Sequence, residues 1–257
     1  MGNFKSTFSS TLGKKLIMAL TGLFLCTFLI VHLVGNLQIF SHDGGKAFNE
    51  YSYFMTHFPP IKIISYLLYA SIIIHAVYAL ILTLHNQKAR PVKYAVYEGG
   101  KNASWSSRNM GILGTVLLIF IVTHMANFWF KYHNDMVPFV EYRTSLQTGE
   151  TTVKEIPASE FRDFVKYVDN GVEIVRAKDL YQQVSYAFQN VWLVILYVVA
   201  MAAMGFHLYH GFWSAFQTFG WDHKKYMPIV SFLGVWVFAV LIPLGFAAMP
   251  LYVYFTK

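Results

Sequence analysis

Four of the ten histidines in this chain sit well inside long apolar runs, at His32, His75, His124 and His207, with His210 one turn beyond the last. Ionisable side chains are costly in hydrocarbon and mark functional positions by default, because lipid offers them no partner. A single imidazole of this kind can be structural, bonded to a carbonyl or hydroxyl of a neighbouring helix; the depths of these four point elsewhere. At about 1.5 Å of rise per residue, His32 and His124 lie roughly 24 Å and 21 Å from the inner boundaries of their runs. His75 and His207, on runs of opposite direction, lie roughly 12 Å and 6 Å from the inner boundary of a core about 30 Å thick. Two pairs at two depths, each drawn from different helices, is the arrangement that two bis-histidine haems stacked across a membrane require. Each iron takes one neutral imidazole nitrogen on each axial face. His210 lies only about 2 Å from the inner boundary by the same arithmetic, a poorer match to His75, so His207 is the expected ligand.

Smaller features accompany the histidines. Gly22 and Gly114 lie ten residues before His32 and His124, and a flat macrocycle lying against a helix needs places without a Cβ, although glycines also serve ordinary helix contacts. Met125, Met201 and Met204 are potential sulfur ligands, but four histidines make them unnecessary and core filling is the expected role. Cys26 is the one cysteine, which excludes a disulfide scaffold and reads as a small packed hydrophobe.

These side chains need helices that cross a membrane. The chain has 257 residues, 56% hydrophobic, 18% aromatic and 13% charged, too apolar for an ordinary soluble fold and far from disorder. Five runs free of Asp, Glu, Lys and Arg are long enough to span about 30 Å of hydrocarbon: 16–40, 63–84, 110–130, 191–216 and 229–253. The expected fold is therefore an all-α integral membrane protein, one domain over 1–257, with five transmembrane helices bundled around two haems. A cleaved signal peptide is not expected, since the first run is long and polar in its second half.

The net charge of +7 sorts by side. Lys5, Lys14, Lys15, Lys88, Arg90, Lys93, Lys101, Arg108, Lys224 and Lys225 share one side with only Glu98 and Asp222, giving +8, while the other side carries −1. Basic loops stay cytoplasmic, so the N-terminus is expected inside and the C-terminus outside, and the basic character reads as topology rather than nucleic-acid binding. The long outer segment 131–190 is expected to cap the helices. Phe139–Arg143 and Thr151–Ile156 read as a hairpin, Ser159 as the cap of an amphipathic helix over 160–168, and Asp179–Gln189 as a lead-in to the fourth span.

The stretches Thr21-Gly-Leu-Phe-Leu with His32, Ile-His75-Ala, Gly114 with His124, and HLYHGFWSAFQTFGW from His207 to Trp221 resemble the cytochrome b subunit of succinate dehydrogenase and fumarate reductase. The closest type is the single-chain, five-helix, two-haem form. The likeness covers all five helices in order and leaves out the segment from about Lys131 to Asn190. It implies an anchor in the bacterial cytoplasmic membrane for a flavoprotein and an iron-sulfur protein on the cytoplasmic face. It implies two b haems, the inner held by His75 and His207 and the outer by His32 and His124, and a quinone substrate, with menaquinone favoured. Dicarboxylate chemistry would belong to the complex, since this chain shows no site for it. Trp105, Ser107, Arg108 and Lys225 become candidates for docking or for haem propionates.

Quinone chemistry couples electrons to protons and needs an exchanging group near the outer haem. Asp43, Glu50 and His57 lie in the first outer loop, and the resemblance nominates Glu50. Some family members carry an acid two positions before the fourth-helix ligand; this chain has Gly205 there, or Leu208 if counted from His210, and neither carries a proton. Two other readings remain: the cytochrome b subunit of a membrane hydrogenase or formate dehydrogenase, and a haem-free transporter using the histidines as a proton relay. The first is usually four-helix, and the second wants staggered depths. A plain anchor without cofactor leaves four costly imidazoles unexplained.

Overall fold

The computed structural model describes residues 10–89 and 99–256. Lys5, Arg90, Lys93 and Glu98 of the charge count lie outside the described residues. Five helices are long and apolar enough to cross a membrane: α1 (Thr11–Phe40), α3 (Pro59–Lys88), α4 (Met110–His133), α6 (Val191–Thr218) and α7 (Met227–Thr256). Their order agrees with the five apolar runs, and their ends extend a few residues into polar flanks. Backbone groups in hydrocarbon have no water to bond, so the helix continues wherever the side chains are lipid-soluble. Two stretches wind more loosely, as π-helix, at Met125–Phe130 in α4 and Leu233–Leu241 in α7. The second ends two residues before Pro243, whose nitrogen cannot donate to the ladder, and a wider turn accommodates that missing bond.

The chain divides into two compact units. The first takes the described residues of Met1–Val31 and Ser65–Phe120 together with Val198–Ala247; the second takes His32–Ile64, Ile121–Tyr197 and the described residues of Ala248–Lys257. In the first unit, α6 buries Ala200, Met204, Leu208, Phe212 and Ala215, a stripe at helical spacing. This helix crosses α7 closely. A Cβ on Gly205 would stand 2.7 Å from the carbonyl oxygen of Ala239, and one on Gly234 would stand 2.9 Å from the Phe212 ring. Close approach of two helix backbones in lipid depends on such small residues. Gly205 is thus a contact point where no acidic side chain fits.

The second unit contains the segment 131–190, expected on the outer side, whose middle folds as a sheet. Strands β1 (Phe139–Ser145), β2 (Thr151–Ile156), β3 (Val165–Asp169) and β4 (Val172–Lys178) form an antiparallel sheet in the order β2-β1-β4-β3. The expected hairpin is β1–β2, with Phe139 opposite Ile156. The helix expected over 160–168 is not formed: one 3-10 turn at Ala158–Glu160 leads into strand β3. Asn170 and Gly171, both at positive φ (47° and 79°), make the tight two-residue turn to β4 that suits a hairpin's twist. Pairing with β4 outweighs the weak helical period.

The sheet has its own core of Val140, Tyr142, Val175 and Ala177, flanked by Phe164. Helix α2 (Lys46–His57) and helix α5 (Leu180–Phe188) belong to the same unit. Asp43 caps the first turn of α2, accepting from the amides of Gly45 (3.0 Å) and Ala47 (2.8 Å). Asn49, 1% exposed, donates to the Tyr142 hydroxyl (2.8 Å) and to Asp179 (2.9 Å), and accepts from the Tyr181 amide (3.0 Å). Asp179 caps α5 through the Gln182 amide. Around this network, Lys46 pairs with Glu173, and Lys166 bridges Glu50 (2.9 Å) and Glu173 (3.3 Å). Glu141 is buried between Arg143 and Arg176, each at 2.6 Å. Burial alone would raise its carboxyl, but the two guanidinium bonds hold it below the usual carboxylate range. Lys46 and Lys166 likewise hold Glu173 down.

Three outcomes follow from this packing. Gly205→Ala should cost about 1–3 kcal/mol by forcing α6 from α7, read as a lower unfolding temperature in detergent. Asn49→Ala strands buried partners and should weaken the outer unit by roughly 3 kcal/mol, read as faster hydrogen exchange across β1 and β4. Because Glu141 and Glu173 titrate below their unfolded values, the stability they add is full above the carboxylate range and lost as pH falls through it. Protection against exchange in the sheet, after the intrinsic pH dependence of amide exchange is divided out, should therefore fall on acidification through the carboxylate range and stay flat above it.

Candidate functional site

The four buried histidines meet as two facing pairs, one in each unit. In the first unit His75 of α3 faces His207 of α6, with ring centroids 6.3 Å apart and planes at 61°. In the second, His32 of α1 faces His124 of α4, at 5.8 Å and 89°. Two imidazole nitrogens on opposite sides of one metal ion, each about 2 Å from it, leave their ring centroids roughly 6 Å apart. Both pairs meet that spacing.

The second contacts of the rings differ. Thr21 Oγ1 of α1 lies 3.1 Å from His75 Nδ1 and donates its own proton to the Ile17 carbonyl at 2.8 Å. Tyr197 of α6 places its hydroxyl 3.0 Å from His124 Nδ1. Asn36, one turn after His32, donates to the His32 carbonyl (2.7 Å) and stands 3.3 Å from that ring's Nδ1. His207 Nδ1 is buried and has no hydrogen-bond partner among the described residues. Metal-bound histidines depend on such second contacts to set tautomer and ring orientation. Nothing in the sequence assigns these contacts to Thr21, Tyr197 or Asn36: Thr21 figures only as part of the resembling stretch, and Asn36 lies at helical spacing from His32.

The two glycines take a place that sequence spacing does not suggest. Gly22 and Gly114 precede His32 and His124 by ten residues, yet they lie beside the other pair. A Cβ on Gly22 would stand 3.4 Å from His75 Cε1, and one on Gly114 would stand 3.8 Å from His207 Cε1. Thr21 and Gly22 of α1, His75 of α3, Gly114 of α4 and His207 of α6 therefore converge on one place. Bare backbone at Gly22 and Gly114 leaves room beside the facing rings of His75 and His207. Each pair offers two imidazole nitrogens, so a metal between them would need its further donors from another source. Met201 and Met204 are buried on α6 as packing residues, and the ring facing His75 is that of His207.

In the second unit an aromatic cluster adjoins the pair: Phe128 lies 5.4 Å from His124, and Phe188 lies 4.9 Å from Tyr197. The outer candidates separate by environment. Asp43 caps α2, and Glu50 is tied to Lys166. His57, at the end of α2, stands over Tyr53 at 4.0 Å, with its Nδ1–H donating to the Tyr53 carbonyl at 2.9 Å. It lines a cavity of about 380 Å³ in which aromatic side chains, among them Tyr132 and Phe161, stand with the charged Asp135, Arg162, Asp163 and Lys178. Trp105, Ser107 and Arg108 share a single helical turn capped by Ser104, whose hydroxyl oxygen accepts from the Ser107 amide at 3.2 Å. Trp105 is exposed, as a docking residue must be.

No protein-family model, curated protein or solved structure matches this chain.

Proposed function

We propose that this chain is the di-haem cytochrome b anchor subunit of a succinate:quinone oxidoreductase, carrying electrons between an iron-sulfur partner on the cytoplasmic face and a membrane quinone, with menaquinone favoured. The observation that carries the reading is the pair of facing imidazole couples, one in each unit, at the spacing of two axial ligands on one metal. The sequence resemblance supplies the identity of the complex. A b haem, when bound, supplies a one-electron carrier at its iron.

The remaining work falls to the chain. His75 and His207 hold the inner group, and His32 and His124 the outer one. The apolar helices exclude water and keep the imidazoles neutral, as ligation requires. Gly22 and Gly114 leave the inner site open on two sides. In the outer unit, proton exchange with the quinone falls to Glu50 or His57. Glu50 is engaged by Lys166, whereas His57 lines a cavity that combines aromatic and charged side chains, and this favours His57. Gly205, closed against Ala239, gives α6 no acid with which to carry a compensating proton.

The test is a reduced-minus-oxidised spectrum with a haem count on purified protein. Two haems are expected; none would sink the proposal and favour the proton-relay transporter. His207→Ala should lose one haem and His210→Ala should keep both, and the reverse result would move the ligand to His210. Gly22→Val should displace His75 and lose the same haem as His207→Ala, while Gly22→Ala should retain two.

A further inference from the structure

The contact between Thr21 and His75 says more than proximity. A hydroxyl has one proton and two lone pairs. Thr21 commits that proton to the Ile17 carbonyl at 2.8 Å, with the Met18 carbonyl also near at 3.2 Å. Its oxygen therefore presents a lone pair to His75 Nδ1, 3.1 Å away. With its proton so committed, Thr21 accepts from His75, which puts the single N–H of the neutral imidazole on Nδ1; the Met18 carbonyl also accepts from this ring. Nε2 is left unprotonated, as the nitrogen available to a metal.

The neighbouring residue completes the seat. With Gly22 lacking a side chain, the ring edge rests against α1, since a Cβ there would stand 3.4 Å from Cε1. One helix thus orients an imidazole of another through two consecutive residues, a hydroxyl at the nitrogen and bare backbone at the adjoining carbon. The facing ring has no such seat, because His207 Nδ1 is buried without a partner among the described residues. The two ligands of one site are unequal.

We infer that Thr21 is the positioning residue of the His75–His207 site, fixing the tautomer that turns Nε2 to the metal and raising that nitrogen's electron donation. The inference rests on the proposed haem function. A hydrogen bond from the far N–H makes a ligating imidazole more basic, which favours ferric over ferrous iron and lowers the reduction potential. Removing the acceptor raises it.

The experiment is a redox titration of both haems in the purified full-length protein, wild type against Thr21→Val and Thr21→Ser, with the low-spin ferric resonance spectrum recorded alongside. Thr21→Val should raise the midpoint potential of one haem, shift that haem's ferric signal and leave the other in place. Thr21→Ser should restore both. If Thr21→Val loses the haem outright, Thr21→Ser must retain it and Thr21→Ala must lose it. Two bound haems with unchanged potentials in Thr21→Val would overturn the inference, as would equal shifts of both haems or haem loss in Thr21→Ser. Wild-type protein without haem would instead overturn the functional reading beneath it.

Discussion

An imidazole in hydrocarbon has two nitrogens to satisfy and only the neighbouring helices to satisfy them. That constraint organises the helical part of the molecule. The hydroxyls of Thr21 and Tyr197 come from helices other than those bearing the rings they contact, so orienting a ring and associating the helices are the same event. Thr21 of α1 thus holds the His75 ring at Nδ1, and that ring faces His207 with the bare backbone of Gly22 and Gly114 beside the two.

Much of this was legible in the sequence, for identifiable reasons. Length and the absence of charge located the five spanning helices to within a few residues, because a lipid-soluble run in hydrocarbon has few conformations open to it. The histidines stood out because their type conflicts with their surroundings. Less visible were the groups that complete them. Thr21, known from the sequence only as part of a resembling stretch, and Tyr197 are polar residues in apolar runs, and what they touch depends on how the helices assemble. Gly22 and Gly114 show the limit of spacing arguments: their offset from His32 and His124 is real, but they lie beside His75 and His207. The error over 160–168 has a similar origin, since a helical period in a short polar stretch is weak evidence beside strand pairing across an Asn-Gly turn.

The first outer connection likewise changes meaning in three dimensions. Read as a loop, it offers three titratable candidates, of which the resemblance nominates Glu50. Folded as helix α2 and its cap, it separates them. Asp43 caps the helix, Glu50 joins the ion pairs that reach β3 and β4, and His57 stands over an aromatic ring beside a cavity. A carboxylate held by a lysine and an imidazole whose Nδ1 is tied to a carbonyl beside a cavity are different reagents, a distinction that a bare chain position does not convey.

The sheet of the outer unit has a property that bears on descent. Its central strands are the first and last of the segment, paired antiparallel with Phe139 opposite Lys178, and the Asp179 amide donates to the Pro138 carbonyl at 2.7 Å. The chain therefore enters and leaves this segment at neighbouring points, and its hydrophobic centre is drawn largely from its own strands. A segment with adjoining ends and an internal core can be gained or lost between two helices while the connection between them keeps its span. Changes among the strands from Phe139 to Lys178 can then accumulate without moving the ends of the two helices that they join.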